Sequence, residues 1–482
     1  VALFLQLEED YMKVRTRFAP SPTGFMHVGN LRTALYTYFY ARQNNGTFIL
    51  RIEDTDVERY VEGAVEKIFK TLKMANINHD EGPDVGGDYG PYVQSERKAL
   101  YEKYAELLVE KKEAYYCFCD KERLESLQDE HGIRRYDRHC LHLSQEEIEA
   151  KKKAGLPYVI RQKMPTSGSI SFEDLIYGTI TVDAKELEDQ ILLKSDKMPT
   201  YNFANVIDDH LMDITHVIRG KEYLSSTPKY NLLYQAFGWE IPKYIHLSPI
   251  MKDETHKLSK RYGDANFEDF VERGFLPHAI VNYICLLGWA PKENQEKFTM
   301  EELIEKFSID GLKKSGSIFD EKKLQWLNGE YLKELSEEEY IEFVKPYLIK
   351  AGIEGTDEWY KELILLFRDR TLYGAQVVSL YHEFFREQLE LSEEAQAVLS
   401  EEGVNDTLNG FLDAFSNIEE WNADNINQAI KQVGKDLNVK GKMLFMPCRI
   451  ATTGDMHGPE LGKTLVLLGK DKTLNRLRQM IK

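Results

Sequence analysis

The stretch Ala19–Pro20–Ser21–Pro22–Thr23–Gly24–Phe25–Met26–His27–Val28–Gly29–Asn30 decides how the first half of the chain folds. Residues 13–19, just before it and partly apolar, read as a strand. Two prolines and a glycine then force a tight turn, since proline presets φ and glycine tolerates the left-handed region. A helix pattern follows over 31–43, with Asn44, Asn45 and Gly46 as its stop. A helix N-terminus reached in this way offers unpaired N–H groups and the positive end of the dipole, which suits a polyphosphate. His27 can hydrogen-bond phosphate oxygens as charge develops at the α-phosphorus, and Gly29 leaves room for adenine and ribose to lie against the backbone. Taken alone, the same residues also fit an ordinary structural strand–turn–helix.

Outward from this turn, 48–52 reads as a second strand and 61–74 as a second helix. Strands alternating with helices imply a parallel sheet. Between 90 and 197 the rhythm breaks into a charged helix, a Cys/His segment and short strands around Val159, Ile170 and Ile180. It returns with a helix at 201–209, a strand at 215–218, a helix at 227–237 and a strand at 244–247. Beyond Asn266 no strand pattern stands out, whereas 276–287, 337–348, 359–367 and 429–433 have helical spacing. The expected fold class is α/β: a Rossmann-like parallel-sheet catalytic domain split by an α+β insertion, then an all-α C-terminal half.

Composition sets outer bounds. A chain of 482 residues with 42% hydrophobic and 29% charged residues is long enough for several domains and ordinary for a soluble protein. No apolar run approaches the ~20 residues a membrane helix needs. Residues 1–7 are apolar but lack a basic flank and run into Glu8, Glu9 and Asp10, unlike a secretory signal. Five cysteines, an odd number, argue against a disulfide framework, and three of them lie between Cys117 and Cys140. Cys285 reads as core. The net charge of −18 opposes nucleic-acid binding, but phosphate attraction is set by local patches. Residues 433–482 hold ten Lys or Arg against four Asp or Glu, so an acidic body with a basic terminal face stays compatible with RNA.

Two further constellations carry chemistry. Lys257–Leu258–Ser259–Lys260–Arg261 follows the last strand on a polar loop. Lysines three apart on a mobile loop can close over a triphosphate and offset its charge in the transition state, although a lone basic cluster is usually a solvated loop. Cys117–Phe118–Cys119 and Cys140–Leu141–His142 together supply four ligands, enough for a closed tetrahedral zinc site that pins the insertion. Tyr136 or His139 could replace His142, and unligated cysteines are the alternative.

In this order and around a split α/β domain, the first two motifs resemble the His-Ile-Gly-His and Lys-Met-Ser-Lys-Ser signatures of class I aminoacyl-tRNA synthetases. The chain departs from them at Val28, Asn30, Leu258 and Arg261, and matches at His27, Gly29, Lys257, Ser259 and Lys260. Arg17-Phe-Ala-Pro-Ser-Pro-Thr-Gly24, Arg51-Ile-Glu-Asp-Thr-Asp56, Gln94-Ser-Glu-Arg97, Pro199-Thr-Tyr-Asn-Phe-Ala-Asn205, Asp208-Asp-His210 and Val217-Ile-Arg-Gly220 narrow the resemblance to bacterial glutamyl-tRNA synthetases. It spreads across residues 13–330; beyond, only length, helicity and Leu327-Asn-Gly-Glu-Tyr331 fit.

That resemblance implies a glutamate site and an ATP site. Arg17, Asn205 and the Tyr201 hydroxyl would hold the substrate's side-chain carboxylate, with Ala19 beside them. Arg219 would pair with its α-carboxylate, and Glu53 and Ser21 would take its α-amino group. Two anions and one cation call for two guanidiniums and one carboxylate, and the planar Arg fork matches a carboxylate with two parallel hydrogen bonds. Glu222 and the Ile250 backbone match ATP-binding positions, alongside His27, Gly29, Lys257, Leu258, Ser259 and Lys260. His27, Lys257 and Lys260 would be the catalytic residues.

The implied plan is 1–12 an extension or remnant, 13–90 the first catalytic half, 91–198 an acceptor-binding insertion, 199–250 the second half, 251–325 a stem-contact region, and 326–482 an anticodon-binding region. The implied partners are L-glutamate, ATP with Mg2+, and tRNA(Glu), in a cytoplasmic, monomeric ligase that needs bound tRNA for adenylate formation. A similar zinc cluster occurs in some members. Arg368, Arg370, Trp359 and Trp421 could face anticodon bases, though each also fits a helix surface or core. Glutaminyl-tRNA synthetases resemble the catalytic part but end in β-barrels, and glutamyl-queuosine synthetases lack an anticodon-binding half. A synthetase-like RNA-binding protein without catalysis is opposed by His27, Lys257 and Lys260 occurring together.

Overall fold

The computed structural model describes residues 13–56, 61–127, 135–258 and 266–481. They divide into two compact units, one of residues up to 269 with 280–320, the other of 270–279 with 321 onward.

In the first unit, β1 (Arg15–Phe18) leads through the Pro/Gly turn into α1 (Val28–Gln43), and β2 (Thr47–Leu50) lies parallel to β1 with Arg15 opposite Thr47. Leu31, Leu35 and Phe39 are fully buried on α1, spaced four apart so that one helix face covers the sheet. After α2 (Ala64–Met74), the βα pattern gives way as expected. The insertion contains α3 (Lys98–Glu110), β3 (Ala114–Cys117), α4 (Lys121–Ser126), α5 (Gln145–Lys153), β4 (Val159–Gln162), β5 (Ser169–Asp174), β6 (Gly178–Asp183) and β7 (Ile191–Leu193). A Ser144/Glu147 capping box starts α5, each side chain bonding the other residue's backbone N–H. The catalytic rhythm resumes with α6 (Tyr201–Leu211), β8 (His216–Gly220), α7 (Thr227–Phe237) and β9 (Lys243–Leu247).

Strands β8 and β9 are parallel over their whole length, His216 opposite Lys243 and Gly220 opposite Leu247. The two parallel pairs meet where the Thr215 N–H donates to the Arg15 carbonyl at 3.0 Å. The Rossmann-like sheet is therefore present, but the insertion is less separate than its sequence suggests. Only β3, β4 and β7 form an antiparallel sheet of their own; the β5–β6 hairpin joins the catalytic sheet at β9, Asp174 opposite Tyr244. Phe203, Ile207, Leu233 and Phe237 of α6 and α7 share a core with Tyr101, Leu108, Ile160 and Leu192 of the insertion. Burying such a side chain contributes about 1.5–3 kcal/mol, enough for this shared core to hold the insertion in register. A two-residue strand, Ser317–Ile318, pairs with Ile250–Met251 in a region where the sequence shows no strand pattern; two residues carry no readable period.

The second unit is helical among its described residues. Helices Glu337–Lys350 and Ala423–Asp436 extend the sequence-based spans, the second by several residues at its start because Asn422 caps it, while Asp357–Leu366 starts two residues earlier than expected and ends one earlier. Three of the four side chains considered for nucleic-acid contact have structural partners. The Trp359 and Trp421 indole N–H groups donate to the Leu467 and Leu465 carbonyls at 3.4 and 3.0 Å. Arg368 donates to the Lys333 and Leu335 carbonyls, at the end of helix Glu321–Leu332. Arg370 is exposed. No helix is long and apolar enough to cross a membrane among the described residues.

Candidate active site

A cavity of 330 Å³ opens at the carboxyl ends of β1, β8 and β9, beside the first turn of α1. Open α/β sheets bind ligands at that edge because helix N-termini and loop N–H groups converge there. Arg17, Ala19, Ser21, Glu53, Tyr201 and Arg219 line it, together with His27, Gly29, Glu222, Ile250, Lys257 and Leu258. Asn205 does not line it: it is buried one turn along α6 from Tyr201, behind the wall. Ser259 and Lys260 lie outside the described residues. A larger recess of 920 Å³ lies at the opposite, amino ends of the strands, by Lys13, Asp213, His216 and Lys243; Asp209 and His210 reach it, but none of the residues expected to bind glutamate or ATP does.

The wall under Arg17 is a buried charge network. Arg17 Nε and Nη2 donate to the two oxygens of Asp209 at 2.9 and 3.1 Å, so Asp209 takes one edge of the guanidinium and leaves Nη1. Arg51, fully buried, bonds Asp209 at 2.8 Å and Glu53 Oε1 at 3.0 Å. Asp208 accepts from Arg97, Gln94 and Tyr101 at 2.7–2.8 Å. Three guanidiniums thus meet three carboxylates in a site closed to water, where each charge needs its partner.

Glu53 Oε2 has no hydrogen-bond partner among the described residues. Burial raises the Glu53 pKa to about 7, with Arg51 and Arg17 working against that rise. A buried carboxylate with one unsatisfied oxygen is a seat for an ammonium group, whose arrival would favour ionisation. The Tyr201 hydroxyl is held well above its ordinary pKa by burial and then by Glu53, so it remains a neutral donor. Arg219 donates through Nε to His246 Nε2 at 3.1 Å and through Nη2 to Thr227 at 2.8 Å.

His27 caps α1, its Nδ1 accepting from the Gly29 N–H at 3.0 Å. That bond leaves the ring proton on Nε2, making it the donor nitrogen. A Cβ at Gly29 would stand 3.2 Å from His27 Nδ1, so glycine keeps the ring where it is. Lys257 is exposed at the rim, on a short return in which the Leu258 N–H donates to the Ile250 carbonyl at 3.0 Å.

In the insertion, Cys117, Cys119 and Cys140 bring their sulfurs within 4.8 Å of one another. The Tyr136 hydroxyl sits 3.2 Å from Cys117 Sγ and 3.7 Å from Cys119 Sγ. His142 is exposed and does not join the three sulfurs: the short helical turn His139–His142 turns Cys140 inward and His142 out. Burial opposes the Cys117 thiolate, but hydrogen bonds from Tyr136 and Arg161 outweigh it and lower its pKa. Burial, with the neighbouring Cys117 charge, pushes Cys119 up to about 12. Adjacent thiols resist joint ionisation unless a cation stabilises both, so this soft donor set fits zinc.

The sequence motifs missed Arg51, Asp209 and His246 as a supporting layer. Asp208-Asp-His210 was a visible signal, but which carboxylate meets which guanidinium depends on helix phase and sheet order.

Residues 13–326 match the model of the class I tRNA synthetase catalytic domain for E and Q, and residues 339–481 that of an anticodon binding domain. The glutamate–tRNA ligase of Clostridium novyi is 53% identical over 472 residues, covering 97% of each chain. That of Clostridium tetani is 50% identical over 474 residues, with the same coverage. The crystal structure of a glutamate tRNA ligase from Elizabethkingia meningosepticum, in complex with its amino acid, matches with a TM-score of 0.84 at 35% identity, over 97% of this chain and 99% of that one. The glutamate-tRNA synthetase of Elizabethkingia anophelis matches with a TM-score of 0.86 at 36% identity and the same coverage. The fold is that of a class I tRNA synthetase catalytic core. The chain belongs to the glutamate–tRNA ligase family.

Proposed function

We infer that this chain is a glutamate–tRNA ligase that activates L-glutamate with ATP and transfers it to the 3′ end of tRNA(Glu). One observation carries the amino-acid reading: Arg17, Arg219 and the half-satisfied carboxylate of Glu53 converge on a single cavity. Two cations and one anion mirror the two carboxylates and one ammonium of glutamate.

In this reading Arg17 Nη1 and the Tyr201 hydroxyl hold the side-chain carboxylate, with Asn205 acting from behind. Glu53 and Ser21 hold the ammonium, and Arg219 holds the α-carboxylate. An oxygen of that carboxylate attacks the α-phosphorus of ATP, forming the mixed anhydride and releasing pyrophosphate. The protein contributes position and charge rather than a nucleophile. His27 donates from Nε2 to the phosphate, Gly29 admits the nucleotide, Glu222 and the Ile250 backbone bind it, and Lys257, Leu258, Ser259 and Lys260 close over it. Mg2+ arrives with ATP and offsets the triphosphate charge. The terminal ribose hydroxyl of tRNA then attacks the acyl carbonyl, the adenylate phosphate accepting the proton and AMP leaving.

Zn2+ held by Cys117, Cys119 and Cys140 with the Tyr136 oxygen would supply a structural cross-link in the insertion. We further place residues 91–198 at the acceptor end, 251–325 at the stem and 326–482 at the anticodon, in a cytoplasmic monomer whose adenylate step needs tRNA. Charging assays on a tRNA(Glu) transcript test the reading. Glutamyl-tRNA should form with glutamate and ATP and fall at least ~100-fold for Lys260→Ala, the scale of losing one transition-state donor. Charging with glutamine, or unaltered charging by that variant, contradicts it.

A further inference from the structure

Both substrate-facing arginines are held along the Nε edge, but by different chemistry. Arg17 rests on the anion Asp209, whereas Arg219 rests on an imidazole and a hydroxyl. Behind the imidazole, His246 Nδ1 lies 2.7 Å from Asp174 Oδ2, and both side chains are fully buried. Asp174 is the last residue of β5 in the insertion, so the line Asp174–His246–Arg219 runs from the insertion into the amino-acid cavity.

The hydrogens on this line have one consistent arrangement. Asp174 Oδ1 accepts from the Ile176 and Tyr177 N–H groups at 2.9 and 2.8 Å, and Oδ2 from the His246 N–H at 3.1 Å. With every neighbour a donor, an ionised Asp174 takes the Nδ1 proton. Nε2 is then a lone pair, and Arg219 Nε–H fills it. The guanidinium plane is further hemmed by the Tyr223, Tyr230 and Tyr244 rings, 4.7–5.3 Å from Cζ. The edge formed by the two Nη atoms is left for a carboxylate, which Arg binds best with two parallel bonds.

We propose that His246, with its tautomer fixed by Asp174, is a positioning residue that aims Arg219 at the α-carboxylate of glutamate. This rests on the reading of Arg219 given above. A neutral acceptor holds the guanidinium without cancelling its charge; an aspartate in its place would pair with Arg219 and weaken its pull on substrate. The compensating anion sits one imidazole away, on a strand of the insertion.

Replacing Asp174 by Asn tests the tautomer. To keep its oxygen on Ile176 and Tyr177, the amide must turn NH2 toward His246, which shifts the ring proton to Nε2 and sets two donors against each other at Arg219. Pyrophosphate exchange by the full chain, with tRNA present, should show the KM for glutamate rising about tenfold or more for D174N and H246L. A lost hydrogen bond to a charged group has that scale. The KM for ATP should stay within about twofold, since the nucleotide wall is untouched. H246Q, whose amide oxygen reaches the Nε2 position, should recover most of the glutamate affinity. R219A separates the two readings. If R219A leaves the glutamate KM unchanged, the role of Arg219 fails and the proposal with it. If R219A is damaging but H246L and D174N behave as the unaltered enzyme, only the positioning role is overturned. A rise in both KM values that H246Q does not reverse marks general misfolding and also overturns it.

Discussion

Asp209 grips Arg17 from behind through two parallel hydrogen bonds of 2.9 and 3.1 Å, and both residues are buried. The same carboxylate also holds Arg51 at 2.8 Å, so one anion sets the position of two cations. Removing its charge in D209N should destabilise the fold by about 3 kcal/mol, the usual scale for breaking a buried pair. The KM for glutamate should rise about tenfold or more through the loosened Arg17. Urea unfolding together with pyrophosphate exchange checks both; unchanged values in both would show the network to be dispensable.

Glu53 predicts a pH dependence. Its pKa is raised from 4.5 to about 7 by burial, so the folded state retains a proton that the unfolded chain has lost. Its contribution to stability is full below pH 4.5 and is lost as pH rises through about 7. Between pH 5 and 8 E53Q should therefore lose less stability than the unaltered chain, because Gln has no proton to give up. Glutamate binding should tighten from pH 6 to 8 in the unaltered enzyme and be weak at every pH in E53Q. Parallel stability curves for the two proteins would contradict this.

For the insertion, elemental analysis should find about one zinc per chain, as a closed four-ligand site takes one ion. C119S and C140S should lose it, Y136F should bind it less tightly, and H142A should keep it. Loss of metal in H142A with retention in Y136F would restore His142 as the ligand.

Gly29→Ala tests the nucleotide side. The added Cβ meets His27 Nδ1 at 3.2 Å, so the capping ring must give by a few tenths of an ångström. The KM for ATP should rise severalfold with that for glutamate nearly constant; equal effects on both would argue against a separate nucleotide wall.

How far the sequence carried these conclusions depends on range. The Pro/Gly turn and the 31–43 pattern revealed the strand–turn–helix because their signals are local. Arg17 and Glu53 are 36 positions apart, yet both reached one cavity because the resemblance supplied the pairing. What stayed hidden was non-local and without a motif: Asp209 behind Arg17, His246 behind Arg219, and the β5–β6 hairpin joining β9. That Asn205 lies buried behind the cavity and His142 lies exposed was hidden for a related reason, since spacing does not say which way a helix or turn faces. Tyr136 was one of the open alternatives, and its hydroxyl lies 3.2 Å from Cys117 Sγ and 3.7 Å from Cys119 Sγ.

The central claim concerns glutamate, and ATP–pyrophosphate exchange with glutamate or glutamine, each with and without tRNA(Glu), tests it most directly. A pocket that pairs a carboxylate with Arg17 and Tyr201 should reject glutamine by about 10⁴-fold or more, as hydrogen-bonding sites can. The account predicts exchange only when glutamate and tRNA are both present. Exchange with glutamine, or none under any condition, would contradict it.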